Sequence, residues 1–200
     1  MINLIRRDLI LQKKLLWLYI PFILFFVLMW SSPFLIFTLA ALYIPFNAFA
    51  YDEKVESDKL LNSLPYTRLE IITSRYLGAI LYTIVSIILV SGFLLLFNKP
   101  FAMSDILIGS SLFLLLAAFT FPLFQIFKQG NITSIILLVF IVSTVLLSNS
   151  SELMSTYGIT LSNSDGVLSW LVPIVLMMAV LIIYTVSWLT TYTIYNKKDF

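Results

Sequence analysis

Thirty-seven consecutive residues, Leu15 to Tyr51, carry no formal charge. As one helix this run would be about 55 Å long, against a bilayer hydrocarbon core of roughly 30 Å. It must therefore be broken, and Ser31-Ser32-Pro33 supplies the break. Proline is well suited to the first turn of a helix, where its missing N–H costs nothing. Two spans follow, at residues 15–30 and 33–51. Both are short for a crossing. Pro21 and Pro45 fall inside them, where neighbouring helices can satisfy the freed carbonyls.

The rest of the chain repeats the pattern. Uncharged stretches predict spans at residues 76–98, 106–127, 132–147 and 167–192, with Pro122 and Pro173 inside two of them. Polar turns at 99–105 and 128–131 separate them, as does a Ser/Asn-rich segment at 148–166. The chain is 60% hydrophobic and 11% charged, with a mean hydropathy of +1.02; an ordinary soluble domain is about 25% charged. The expected fold class is an all-α integral membrane protein with six transmembrane helices in one domain, residues 1–200.

Residues 1–14 predict an interfacial helix. Ile2, Ile5, Leu9 and Leu16 share one face, and Arg6, Arg7, Lys13 and Lys14 cluster beside it, within reach of lipid phosphates. The alternative is that these residues extend the first span downward. They do not read as a cleavable signal peptide, because the basic residues lead into a run with no small-residue cleavage site. Eleven of the twelve Lys and Arg lie in segments on the N-terminal side of the membrane, and Lys99 is on the other. The positive-inside rule then places both termini in the cytoplasm. Trp30 and Trp170 fall at the outer surface. Tyr51, Tyr76, Trp188, Tyr192 and Tyr195 fall at the inner one, the positions of an aromatic belt.

One hydrophilic island interrupts the apolar chain. Tyr51 to Arg75 holds nine of the 22 charged residues. Each charge would cost at least ~2.5 kcal/mol at the bilayer centre, so the island lies in water. Asp58 is placed to cap a short helix. Leu60, Leu61 and Leu64 then share one face, with Lys59 and Asn62 on the other. Pro65 disfavours helix at Leu64 and ends the segment. Thr67 and Glu70 form a T-x-x-E capping box ahead of the next apolar run. An ordinary polar loop fits the composition as well; a docking element fits the spacing.

The membrane region offers little chemistry of its own. The chain has no cysteine and no histidine, which removes thiolate sites and the commonest general base. Its net charge of +2 suggests no nucleic-acid partner. No charged residue falls inside a predicted span, whereas ion-coupled transporters need intramembrane ionisable groups. The hydroxyls of Thr83, Ser86, Ser91, Ser110, Ser111 and Thr120 read as bonds between helices. A membrane enzyme would need paired acids or a nucleophile–base pair at membrane depth. The phosphate-cradling G-x-x-x-x-G-K-[ST] pattern is missing too. If the chain transports, its energy comes from another polypeptide.

Asp-Glu-Lys at 52–54, followed by Asp-Lys-Leu-Leu-Asn-Ser-Leu-Pro-Tyr-Thr-Arg at 58–68, resembles the loop between spans two and three of ABC-2 type permeases. Asp58, Leu60, Leu61, Ser63, Leu64, Pro65, Thr67 and Arg68 match that family's pattern; the glycine often found just before the Asp is missing from Val55 to Ser57. The whole chain is similar to the small permeases of Gram-positive bacteria, including those of phenol-soluble modulin exporters. The resemblance implies a non-enzymatic transport subunit in the bacterial plasma membrane. Residues 52–68 would be the cytoplasmic coupling segment. Asp58, Leu60, Leu61, Ser63, Leu64, Pro65 and Arg68 would meet two cytosolic ABC ATPase subunits. ATP and Mg would be bound on those partners, and this chain would hold no cofactor or metal. A second permease, identical or homologous, would complete the pathway, with membrane lipids around it.

Amphipathic peptides are the substrate implied by the resemblance. A lipid or drug exporter subunit and an accessory or immunity membrane protein are the alternatives. The family commonly places re-entrant helices between spans five and six, so 148–166 is either such an element or a solvated loop.

Overall fold

The computed structural model describes residues 13–29, 32–54, 67–126 and 168–197, together with Ile10. Among these residues the chain forms five helices: α1 Lys13–Leu28, α2 Pro33–Lys54, α3 Arg68–Leu96, α4 Met103–Ile126 and α5 Leu168–Asn196. Most of the expected interfacial segment 1–14, the expected span 132–147 and the segment 148–166 lie outside the described residues.

Local chemistry accounts for the helix boundaries. Pro33 opens α2, and the Ser32 carbonyl accepts from the Leu35 and Ile36 amides at 3.0 and 3.3 Å. α2 runs past Tyr51 through Asp52, Glu53 and Lys54, so the helix enters the charged island rather than ending at its edge. Glu and Lys are good helix formers, and nothing in that turn breaks the ladder.

α3 ends in a Schellman turn. Asn98 takes a left-handed φ of 50°; its N–H reaches Leu95 O at 3.1 Å, and the Lys99 N–H reaches Leu94 O at 2.9 Å. Asparagine tolerates this conformation better than most side chains. The turn leads straight into α4, where the Asp105 carboxylate accepts the Ala102 N–H at 2.8 Å. The Lys99 ammonium donates to the Val27 carbonyl near the end of α1, a cation at the negative end of a helix.

α3, α4 and residues Leu171–Asn196 of α5 are each long and apolar enough to cross a membrane. The apolar stretches Trp17–Leu28 and Pro33–Ala48 are shorter. For description, the lower end of the bundle is the one holding the first turn of α3, and the upper end holds the turn after α3.

Two cores form, and α3 belongs to both. The lower core joins Ile72, Tyr76 and Ala79 of α3 to Phe113, Ala117, Phe121 and Phe124 of α4 and to Val180, Tyr184 and Tyr195 of α5. The upper core joins Tyr19, Ile23 and Val27 of α1 to Ile36, Phe37, Ala40 and Ile44 of α2 and to Tyr82, Val90 and Leu94 of α3.

α4 and α5 make the most extensive helix pairing. They run in the same direction: Ala118 and Phe121, near the end of α4, and Ser187, near the end of α5, all gather around the lower part of α3. Ile126 and Leu168 therefore lie at opposite ends of the bundle. α2 and α4 meet closely at Gly109. A Cβ there would stand 2.7 Å from the Phe34 carbonyl oxygen and 2.7 Å from Phe37 Cβ, so only glycine fits the crossing without a shift.

Candidate functional site at the lower end

The last turn of α2 and the first turn of α3 lie at the same end of the bundle. The two helices are level where the Tyr19 hydroxyl, 3.1 Å from Ala40 O, meets Ser86 Oγ at 2.8 Å. From that level α2 continues about 21 Å to Lys54, and α3 runs back about 27 Å to Arg68. Two helix ends thus frame the island. Of the residues expected to dock, Asp58, Leu60, Leu61, Ser63, Leu64 and Pro65 lie outside the described residues; Arg68 lies within them.

The start of α3 is fixed by the expected capping box, and both halves are present. The Glu70 N–H donates to Thr67 Oγ1 at 3.2 Å. In return the Glu70 carboxylate accepts the Thr67 N–H at 3.0 Å and its hydroxyl at 3.1 Å. Glu70 precedes the uncharged stretch that starts at Tyr76. The Thr67 backbone N–H, then its hydroxyl, hold this carboxyl below the usual carboxylate range, because both donors favour the charged form.

Arg68 bonds inward to its own chain. Its Nη1 donates to Asn196 O at 2.9 Å and to Tyr195 O at 3.5 Å. These carbonyls belong to the last turn of α5, where no intrahelical donor is available. A guanidinium there satisfies them and sits at the negative end of the helix dipole. The sequence pattern pairs Arg68 with an external partner; the structure shows it also ties α3 to α5.

Two turns further along α3, a hydroxyl cluster repeats the connection. Tyr76 OH lies 2.8 Å from Ser187 Oγ and 2.7 Å from Thr191 Oγ1. Ser187 donates to the Ala118 carbonyl of α4. Thr191 donates to the Ser187 carbonyl at 2.9 Å, so the Tyr76 hydroxyl sits between two hydroxyls that both bond onward. Tyr184 donates to the Tyr76 carbonyl at 2.9 Å, and Trp188 Nε1 donates to Thr73 Oγ1 at 3.2 Å. The Tyr76 ring meets Phe121 edge-on at 4.8 Å and Tyr184 at 4.9 Å.

These contacts correct part of the aromatic expectation. Tyr76 and Tyr195 do sit toward the lower end, but they are 4% and 0% exposed. They are core residues, and their position in the sequence alone resembles that of belt residues. The hydroxyls singled out from sequence divide as well. Ser86 reaches another helix, whereas Thr83, Ser91, Ser110, Ser111 and Thr120 bond carbonyls of their own helices, a common way to satisfy a hydroxyl in an apolar setting. The cluster on α5 had a signal: Tyr184, Ser187 and Thr191 stand at i, i+3 and i+7, one face of a helix.

A family model described as ABC-2 family transporter protein matches residues 3–196. No curated protein matches the chain, and no solved structure does.

Proposed function

The chain belongs to the ABC-2 family of transporter proteins, and from that premise we propose that it is the permease of an ATP-driven exporter, gripped and driven through residues 52–68. The observation that carries this reading is the family match across the chain, placed beside the framing of the island by two helix ends. α2 delivers the chain into the charged segment as a helix, and the capping box starts α3 rigidly on the far side. A segment held at both ends by rigid rods can pass a push into both of them.

In this reading two cytosolic ABC ATPases bind ATP and Mg and close on the segment. Leu60, Leu61 and Leu64 fill an apolar groove on the ATPase, Asp58 and Arg68 orient the contact, and Ser63 and Pro65 shape the end of the helix. The permease spans a bacterial plasma membrane six times with both termini inside. The opposite placement of Ile126 and Leu168 supports this count, since the chain between them must return across the bundle. A second permease, identical or homologous, completes the pathway.

Amphipathic peptides are the proposed cargo, on the similarity to phenol-soluble modulin exporter permeases and on an interior whose buried polar side chains, among the described residues, are hydroxyls apart from Gln125. Leu61→Asp tests the docking assignment. It places an unpaired charge in the groove, so ATPase co-purification and export should both be lost while the permease still folds. Retention of both would overturn the assignment.

A further inference from the structure

The contacts between α3 and α5 occupy several levels of the bundle. Arg68 holds the Tyr195 and Asn196 carbonyls at the very end of α5. Thr73 meets Trp188 one turn in. Tyr76 meets Ser187 and Thr191, and Tyr184 meets the Tyr76 carbonyl. A single contact would let one helix pivot on the other. Contacts from Arg68 to Tyr76, spread over about 12 Å of helix, prevent pivoting. Directional bonds also fix the axial register, which apolar packing alone does less well in lipid.

We infer that Arg68 and Tyr76 are positioning residues that splint α5 to the lower third of α3, so that α5 follows any displacement of the start of α3. The role of this splint in transport rests on the docking reading above; its geometry does not. It extends to α4 through the Ser187 bond to Ala118. A push on the island would then reach α3, α4 and α5 as one unit. α1 and α2 meet α3 higher up, through the apolar upper core and the Tyr19 hydroxyl. α2 is joined to α4 as well, through the close Gly109 crossing and a Thr38 Oγ1 bond to the Gly109 carbonyl at 3.2 Å.

The chain has no cysteine, so paired labels are simple to introduce. Leu77 and Leu189 are 43% and 53% exposed on α3 and α5. Leu77→Cys and Leu189→Cys, spin-labelled in a lipid nanodisc, should give one narrow distance by pulsed EPR. That distance should stay the same in the ATPase-bound, ATP-trapped assembly. Arg68→Gln with Tyr76→Phe should broaden it, and Arg68→Lys should keep it narrow. Tyr76→Phe alone keeps the ring packing and serves where the double variant fails to fold; it should still broaden the distribution.

In the full assembly, Tyr76→Phe should lower cargo moved per ATP hydrolysed by roughly three- to ten-fold, with ATPase co-purification unchanged. A distance that changes in the wild type, or that stays narrow in both variants, overturns the inference. Unchanged cargo per ATP in Tyr76→Phe overturns its link to transport. If no ATPase binds the wild type, the docking reading fails, and the distances in the isolated chain still decide the splint.

Discussion

The upper and lower cores are held together differently. The upper core is aromatic and aliphatic: Tyr19 tilts against Tyr43 at 5.3 Å, Phe22 against Tyr43 at 4.8 Å, and Phe37 meets Phe101 at 6.1 Å. The lower core carries aromatic contacts as well, but a string of hydroxyl and carbonyl bonds runs through it from α3 to α5 to α4. Lipid tails are as apolar as leucine, so burying apolar surface between helices gains little there. Packing and hydrogen bonds do the joining. The upper half has bonds between helices too, at Tyr19–Ser86 and Thr38–Gly109, but each is a separate point, whereas the lower ones form a continuous string, and α3 is shared between the halves.

Each substitution below breaks or sharpens that contrast. The largest effect is expected where the halves meet. Gly109→Ala forces a methyl onto the Phe34 carbonyl and should destabilise the fold by about 1–3 kcal/mol, read from thermal melting in detergent. If Gly109→Ala melts like the wild type, the halves are not tightly joined at this crossing. Next comes Ser187→Ala with Thr191→Val, which strips the Tyr76 hydroxyl of both partners and should cost about 1–2 kcal/mol in the same assay. Gly78 provides a control of opposite sign. A Cβ there meets only the Tyr82 ring, at an ordinary 3.5 Å. Gly78→Ala should therefore stabilise by about 0.4–1 kcal/mol.

Tyr19→Phe probes the upper half. It removes the phenol but leaves Ser86 donating to Tyr82 O at 2.7 Å, so a loss of about 0.6 kcal/mol or less is expected. A loss as large as that of the Ser187/Thr191 pair would erase the distinction between the two halves. The smallest effect belongs to Glu70. Its carboxyl titrates lower in the folded chain than in the unfolded one. The cap is therefore at full strength above the ordinary carboxylate range and is lost as pH falls through the folded value. Hydrogen exchange at the first amides of α3 should quicken over that window, and Glu70→Gln should flatten the response.

Local features were legible in the sequence and long-range ones were not. Pro33 as a helix start and the Thr67–Glu70 box each depend on residues a few positions apart; the turn expected at 99–105 falls slightly earlier, around Asn98, with α4 already begun at Met103. Arg68 shows the limit. Its string reads as a docking motif, yet its carbonyl partners lie more than a hundred residues away on α5. Tyr76 and Tyr195 read as belt residues because distance from the span end is visible in a sequence, while the facing helix is not. The extension of α2 to Lys54 was missed for a related reason. A hydropathy boundary marks where charge begins, whereas a backbone ladder continues through Asp-Glu-Lys until something breaks it.

The co-directional run of α4 and α5 has a consequence for biogenesis. The principal neighbour of α4 leaves the ribosome only after about forty further residues have been made, whereas α3 and α4 are consecutive and joined by a tight reversal. α3 and α4, though consecutive, touch each other only lightly, so α4 gains its main partner only once α5 has been made.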